Sequence, residues 1–464
     1  MPVVSEVSRS LAMGALGALG ALLVAGCTLD NSVNDPDQNT PPPNVFRDSP
    51  APESVAEWEA PADNLLHSLA QIEENDANSV QAPYNRILAV MYAELGAYRS
   101  AATNFEPFGP VLRPQAELCQ NSNLPDAVDE LCDRLQDNPD DPEDQDLERL
   151  VFLSELQHAP SQTVLARKLL GCLKDAGFQY LALEALAEPA AALKARGHVS
   201  LTESGPLMRE PQHARLVEDA LKLGFELVDY DVSDHCETCS YTDEMRDHAE
   251  QQAANLVSRS LALDPQAKVF VLAGPRQSYK EPWGQNPPFT TSLANRVWTQ
   301  TQIEPYAIDQ VEIDLPAMPF GASSPTPPSG MYMASGPNNG SCMGQYTPRT
   351  ENGRRALDTV MVHVPPRSDT ARWDWLHAPA EERRSLTPSC AACSTGERLL
   401  VQAFPAGIDR ADHVATDQAL CTVGSECQMV LPPGAYQVVV WSEATQLGTA
   451  QIDLTTATSA PISL

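Results

Sequence analysis

The sequence predicts an α/β fold: a mostly parallel sheet with helices on both faces, preceded by a helical segment and followed by a small antiparallel β domain. Two observations predict it. Between residues 150 and 315 short apolar runs alternate with helical periods, the pattern of a parallel sheet covered on both sides. After residue 355 the helical period gives way to short apolar runs separated by turn residues such as Pro432-Pro433-Gly434, as in antiparallel β structure. The 464 residues suffice for two or three domains, and a hydrophobic content of 42% can fill their cores.

The apolar run from Leu11 to Ala25 is shorter than the roughly 20 residues of a membrane span. It ends in Val24-Ala25-Gly26 before Cys27, the pattern of a bacterial lipoprotein signal. Residues 1–26 are therefore expected to be removed and Cys27 to carry lipid, although the first residues are only weakly basic, with Arg9 set against Glu6. An ordinary signal peptide or a buried helix is the alternative, but a core helix would not be followed by a long polar tract. Thr28 after the cysteine, where Asp would retain the protein at the inner membrane, favours the outer membrane by similarity to Gram-negative lipoproteins.

Residues 27–60 are rich in Asp, Asn, Pro and Ser, with Pro41-Pro42-Pro43 among them, and read as a disordered spacer. Residues 61–149 read as a helical segment ending in an acidic loop. Leu88, Met91, Tyr92 and Leu95 lie on one helical face, similar to half of a tetratricopeptide repeat. Such repeats need about three copies, so a helical hairpin packed on the next domain is expected. The loop holds Asp137, Asp140, Asp141, Glu143, Asp144 and Asp146, but lacks the Gly and terminal Glu of a calcium loop.

In the α/β unit, 150–315, strands are expected at Leu150–Leu153, Tyr180–Leu183, Phe225–Tyr230, Val269–Ala273 and Ala307–Ile313. Helices are expected at Val164–Asp175, which Gly177 ends, at Gln212–Leu223 and at Met245–Leu263. Residues 316–354, rich in Pro, Gly and Ser, read as a linker. The β-rich domain, 355–464, holds strand candidates Leu357–Val364, Leu399–Phe404, Gln428–Leu431, Tyr436–Trp441 and Thr449–Leu454. Trp373 and Trp375, spaced by two, read as one face of a buried strand in preference to a binding platform.

With 30 Lys and Arg against 62 Asp and Glu, the formal charge of -32 excludes nucleic acid as a partner. Setting Cys27 aside leaves ten of the eleven cysteines, an even number, and export favours disulfides. Cys236 with Cys239 and Cys390 with Cys393 are the close pairs, oxidised within or across the pairs. Zinc, with His235 as a further ligand, is the weaker alternative, because ribbon pairs sit about 15–20 residues apart and these do not. Cys172, on an apolar helix face, reads as buried.

An ordered set of motifs runs through the α/β unit. It begins with Glu155-Leu156-Gln157-His158 and Gly177-Phe178-Gln179-Tyr180-Leu181-Ala182-Leu183-Glu184, then Arg209-Glu210-Pro211 and Leu223-Gly224-Phe225 leading to Tyr230-Asp231. Gln252-Ala253-Ala254-Asn255-Leu256, Asp264-Pro265 into Gly274, and Ile303-Glu304-Pro305-Tyr306 to Gln310 follow. In this order the unit resembles the superfamily of erythromycin esterases, ChaN-type haem-binding lipoproteins and Tiki-type metalloproteases. That resemblance implies a pocket at the carboxyl ends of the strands, where a Glu-x-His, a second Glu and a later His converge. Here Glu155 and Glu184 match the acids, while the His positions hold Gln157 and Gln277, and the charged pair of the later helix is His248 and Ala249.

Glutamine neither shuttles protons near neutral pH nor ligates transition metals well. His158 could stand in for the lost imidazole only by a one-residue shift, and adjacent strand residues face opposite ways. The expected pocket is therefore Glu155, Gln157, His158, Glu184, Tyr230 and Gln277, in a domain that binds a protein or small molecule without catalysis. A hydrolase using Glu155, His158 and Glu184, or a haem- or metal-uptake lipoprotein, stands as the alternative; no cofactor is called for by the residues themselves. Neither G-x-S-x-G nor H-E-x-x-H occurs.

Overall fold

The computed structural model describes residues 89–98, 100–101, 127–135, 149–156, 159–184, 186–232, 241–274, 277–280, 292–311, 330–335, 357–364, 372–390, 393–394, 396–442 and 445–463. Cys27, the spacer, the acidic loop, Gln157, His158, Cys236 and Cys239 lie outside these residues. No helix among the described residues is long and apolar enough to cross a membrane.

Each expected strand of the α/β unit forms where its apolar run stands: β1 (Leu150–Ser154), β2 (Tyr180–Leu183), β3 (Glu226–Asp229), β4 (Val269–Ala273) and β5 (Tyr306–Asp309). All are parallel, with β4 between β2 and β1. The sheet does not stop at residue 315. Its order is β3-β2-β4-β1-β5-β7-β6, seven strands in all. β7 (Thr359–Val364) pairs parallel to β5, and β6 (Gly330–Ser335) pairs antiparallel to β7. The expected linker thus contains an edge strand, and the first expected strand of the terminal domain belongs to the α/β sheet. β6 escaped notice because Gly330-Met331-Tyr332-Met333-Ala334-Ser335 is short and embedded in Pro- and Gly-rich sequence.

Alternation divides the sheet residues between two apolar layers. Val151, Leu153, Leu181, Phe270, Leu272 and Ile308 face the first layer. It is covered by α1 (Ala127–Leu135), α2 (Pro160–Asp175), α3 (Ala190–Arg196) and α4 (Pro211–Lys222) through Leu131, Leu169, Leu193 and Leu216. Leu150, Phe152, Ala182, Val228, Val269 and Val271 face the second. There α5 (Tyr241–Arg259) and α6 (Leu293–Thr301) seal the sheet with Ala253, Leu256, Ala294 and Val297. Helices α2 and α4 end alike. Gly177 and Gly224 take positive φ, and the next residues, Phe178 and Phe225, donate back to Leu173 and Ala220, closing Schellman turns. Both phenylalanines then drop into the first layer.

Cys172, on α2, is bonded to Cys132 of α1, which corrects its reading as a plain buried thiol. The bridge closes a separation of 40 residues, worth on the order of 4 kcal/mol by chain entropy. Cys390 bonds Cys393, and Cys421 bonds Cys427.

The terminal domain sets two small sheets face to face. One has the order β10-β9-β12-β13 and the other β11-β8-β14. Their strands are β8 (Arg383–Ser389), β9 (Arg398–Pro405), β10 (Asp417–Thr422), β11 (Cys427–Val430), β12 (Ala435–Trp441), β13 (Gln446–Asp453) and β14 (Ser459–Ser463). Pairing is antiparallel except for β14 beside β8. Leu399, Val401, Met429, Val438 and Val440 fill the space between the sheets. Trp373 and Trp375 do not lie on a strand: Arg372–Trp375 is a helical turn, α7, and Trp373 donates its ring N–H to Met429 O at 2.9 Å.

The helical stretch 89–94 packs on this terminal domain, while Tyr98 just after it also reaches the α/β unit at Val164 and Glu210. Leu95, Met91 and Tyr92 meet Leu400, Leu420 and Trp441. Gly96, φ +71°, lies so close to β10 that a Cβ there would stand 2.0 Å from the Gln418 carbonyl oxygen. Gly96→Ala should therefore cost about 2–4 kcal/mol from clash and backbone strain together. Gly177→Ala, positive in φ but open in space, should cost about 1 kcal/mol. Denaturant unfolding of both variants checks the difference, and equal losses would exclude the close approach.

Candidate functional site

The carboxyl ends of parallel strands are where a doubly wound sheet gathers polar side chains, because the ladder ends there and the apolar layers open. Alternation then decides which side of the sheet each one reaches. Glu155 continues the first-layer series of Val151 and Leu153, and Glu184 continues the second-layer series of Tyr180 and Ala182. The two acids consequently meet different helices.

Glu184 reaches α5. Its Oε1 accepts from Gln252 Nε2 at 3.3 Å, and its Oε2 accepts from the Gly274 backbone N–H at 2.9 Å. Asp231, two residues past β3, accepts from the same Gln252 nitrogen at 3.0 Å and lies 3.4 Å from His248 Nε2. Asn255, one turn further along α5, donates to the carbonyls of Tyr230 and Asp231 and pins that backbone. One donor atom each from Glu184, Asp231 and His248 fall within 4.8 Å of one another. Burial and the neighbouring Asp231 carboxylate push the Glu184 carboxyl up to about 7, against His248, Gln252 and the Gly274 N–H. Asp231 moves the other way. Burial opposes its charge, but hydrogen bonds from His248, the Val232 N–H and Gln252 hold it below the usual range. Two neighbouring acids, one titrating near neutrality and one held ionised, face one imidazole. Tyr230 is wholly buried behind them and donates to Leu272 O at 2.6 Å.

Glu155 lies on the other side, against α2 and α4. Its Oε1 is 3.4 Å from His213 Nε2, and its Oε2 accepts from Thr163 Oγ1 at 3.3 Å. The second nitrogen of His213 is 3.2 Å from Glu210 Oε2, the same oxygen that caps α4 by accepting the His213 N–H. Burial disfavours a charged imidazole, but Glu155 and Glu210 overcome it and raise His213 to about 10. His213 is thus an imidazolium donating from both nitrogens. Glu210 Oε1 accepts from Tyr98, which accepts from Arg372, which is paired with Asp417. A buried polar chain runs from the sheet end to the terminal domain.

The expected pocket is therefore only partly assembled as one site. Glu184 and Tyr230 share the α5 side, and Glu155 is committed to the α2–α4 side. Gln277 serves α6: its side-chain oxygen accepts the Leu293 N–H at 2.9 Å, and its carbonyl accepts the Ala294 N–H. Gln157 and His158 lie outside the described residues. Asp231, Gln252 and His213 are not among the expected pocket residues, although Asp231 and Gln252 stand in the ordered motifs. Two signals were present. Asp231 follows β3 as Glu184 follows β2, and His248 and Gln252 stand four apart, on one face of α5.

No family model matches the chain, and no curated protein matches its sequence. Among solved structures, the type III effector HopBA1 is 14% identical with a TM-score of 0.26, covering 41% of this chain and 85% of its own. A structure described as bacterial protein toxins is 15% identical with a TM-score of 0.29, covering 52% of each chain. RRSP, a MARTX toxin effector domain from Vibrio vulnificus, is 16% identical with a TM-score of 0.26, covering 51% of this chain and 54% of its own. The chain thus spans about half the length of the last two. These are distant likenesses and assign no activity.

His213 makes the folded state bind a proton that the unfolded chain releases near pH 6.5. Its contribution to stability is complete below about 6.5 and is lost as pH rises through about 10. The stability gap between wild type and His213→Gln, measured by urea unfolding, should be widest at pH 6 and shrink steadily toward pH 10. A gap that does not vary with pH would show that His213 is not charged in the folded protein.

Proposed function

We propose that this chain is a bacterial envelope lipoprotein, anchored through lipid on Cys27, whose α/β domain binds a small molecule or protein without turning it over. The anchor brings the chain to a membrane surface, with the outer membrane favoured by Thr28 after the lipidated cysteine. The observation that carries the non-catalytic reading is the commitment of the strand-end groups to internal partners. Gln277 caps α6, and Glu155 is held by His213 and Thr163. Both Glu155 oxygens are engaged inside the protein, and the amide of Gln277 takes up no proton near neutral pH, so neither group is set to act as a general base.

A hydrolase is the second reading, and one observation favours it. Glu184 titrates near neutral pH beside an ionised acid and an imidazole, the pairing that suits general acid–base work. Hydrolysis of p-nitrophenyl acetate separates the two. The wild type should run at the uncatalysed rate, and His158→Ala and Glu184→Gln should not change it. Hydrolysis well above background that either variant abolishes would replace the binding reading with the hydrolase.

The anchor is tested on its own. Metabolic labelling with a fatty acid should mark the wild type in the membrane fraction and leave Cys27→Ser unlabelled and soluble. Equal labelling of both would remove the lipoprotein assignment.

A further inference from the structure

We infer that Glu184, Asp231 and His248 form a binding site for one divalent transition-metal ion on the α5 side of the sheet's carboxyl edge. The inference rests on the reading of this edge as the domain's binding face and names the ligand class that it takes. It differs from the site that the superfamily resemblance implies, whose two imidazole positions are Gln157 and Gln277 in this chain.

The donor set comes from three elements. Glu184 follows β2, Asp231 follows β3, and His248 lies on α5, so the fold and not local sequence brings them together. Their donor atoms already lie within 4.8 Å of one another. Nitrogen and oxygen ligands sit about 2.0–2.2 Å from zinc, so shifts of under an ångström close the set around an ion. With both carboxyls ionised and the imidazole neutral, as ligation of a metal requires, the three groups carry two negative charges, the complement of one divalent cation. One nitrogen and two oxygens leave open positions for water, as in zinc sites that bind further ligands.

Gln252 supplies an independent observation. The residue is 1% exposed, and its amide nitrogen is shared between Glu184 and Asp231. Its side-chain oxygen is buried without a hydrogen-bond partner. Such an oxygen carries the desolvation cost of an unmade bond. An ion between the acids removes the need for the shared N–H. The amide can then turn over and present its oxygen to the ion as a fourth donor, a rearrangement that needs only rotation of its last torsion.

The surroundings hold these ligands in place. Gly274 donates its N–H to Glu184 Oε2, and a Cβ at that position would stand 3.0 Å from the same oxygen. A side chain there would push that carboxylate back by a few tenths of an ångström, so the glycine favours the close approach, which leaves Oε1 to the Gln252 amide that it shares with Asp231. Asn255 fixes the Asp231 backbone from α5. Partners of this kind, behind the ligands, commonly change metal affinity by about 10–100-fold when removed.

The test uses the full chain, purified in detergent, stripped with chelator and titrated calorimetrically with Zn²⁺ and Co²⁺. One ion per chain should bind with micromolar or tighter affinity and raise the unfolding temperature. His248→Ala and Asp231→Asn should each weaken binding at least about 10-fold, while Glu155→Gln should leave it unchanged. Gln252→Glu should strengthen binding, a gain that misfolding cannot imitate. Absence of binding, or affinity indifferent to His248→Ala and Gln252→Glu, would overturn the site. Metal-dependent hydrolysis of p-nitrophenyl acetate, lost in His248→Ala, would support the metal site and overturn the non-catalytic reading. A chain without metal affinity and without hydrolysis would overturn the metal site alone.

Discussion

The ion pair between Arg372 and Asp417 is the constraint on which the seating of the N-terminal helical segment against the terminal domain depends. Asp417 is wholly buried, and both of its oxygens accept from the guanidinium, at 2.5 and 2.6 Å. The geometry is bidentate, which adds direction to charge. Arg372 also donates to the carbonyls of Gly96, Gln418 and Gln428 and to the Tyr98 hydroxyl. One side chain on the short helix α7 thereby contacts the N-terminal helical segment and strands β10 and β11. Removing either member of such a pair leaves a buried charge unbalanced, at a cost of about 3–5 kcal/mol. The pair is better regarded as specifying one arrangement than as adding net stability, since desolvation offsets much of the attraction.

From that pair the polar chain continues through Tyr98 and Glu210 to His213 and Glu155. The route explains why Glu155 cannot act alone. Its partner His213 is also the partner of the residue that caps α4, and Glu210 in turn holds the tyrosine of the N-terminal segment. Changing the charge at the sheet end therefore acts on the seating of the helical segment. A second route joins α4 to the terminal domain. Arg215 donates to Val430 O and to Glu382, and Glu382 also faces Arg167 of α2. Burial and the nearby Arg215 charge lower Arg167 to about 10, so the two cations depend on Glu382 and Asp219 between them.

The opposite side of the sheet has another character. Glu184 and Asp231 are tied to the core through Gln252, Asn255 and Gly274. The amide between the two acids is only half satisfied. That contrast separates a structural polar network, closed at every member, from a site with capacity for a ligand. The same sheet carries both because its two faces are independent layers.

The sequence by itself determined the α/β unit and most of its elements. Runs such as Leu150–Leu153 and Val269–Ala273 are apolar at every position, and at four or five residues between turn signals such a run suits a strand buried on both faces. Gly177 marked the end of α2, because a left-handed residue is needed there, and Gly224 does the same for α4 in the structure. Strands with alternating burial were harder to see. In β8, Arg383-Arg384-Ser385-Leu386-Thr387-Pro388-Ser389 has few apolar residues, and β14 is short and contains Pro461. Their register comes from neighbours distant in sequence. Only the tertiary structure decided that β6 and β7 extend the parallel sheet, and that the N-terminal helical stretch rests on the β domain. It also decided the site. Glu155 and Glu184 stand out equally in sequence, but one side-chain step of alternation sends them to opposite faces, where His213 meets the first and Asp231 and His248 the second.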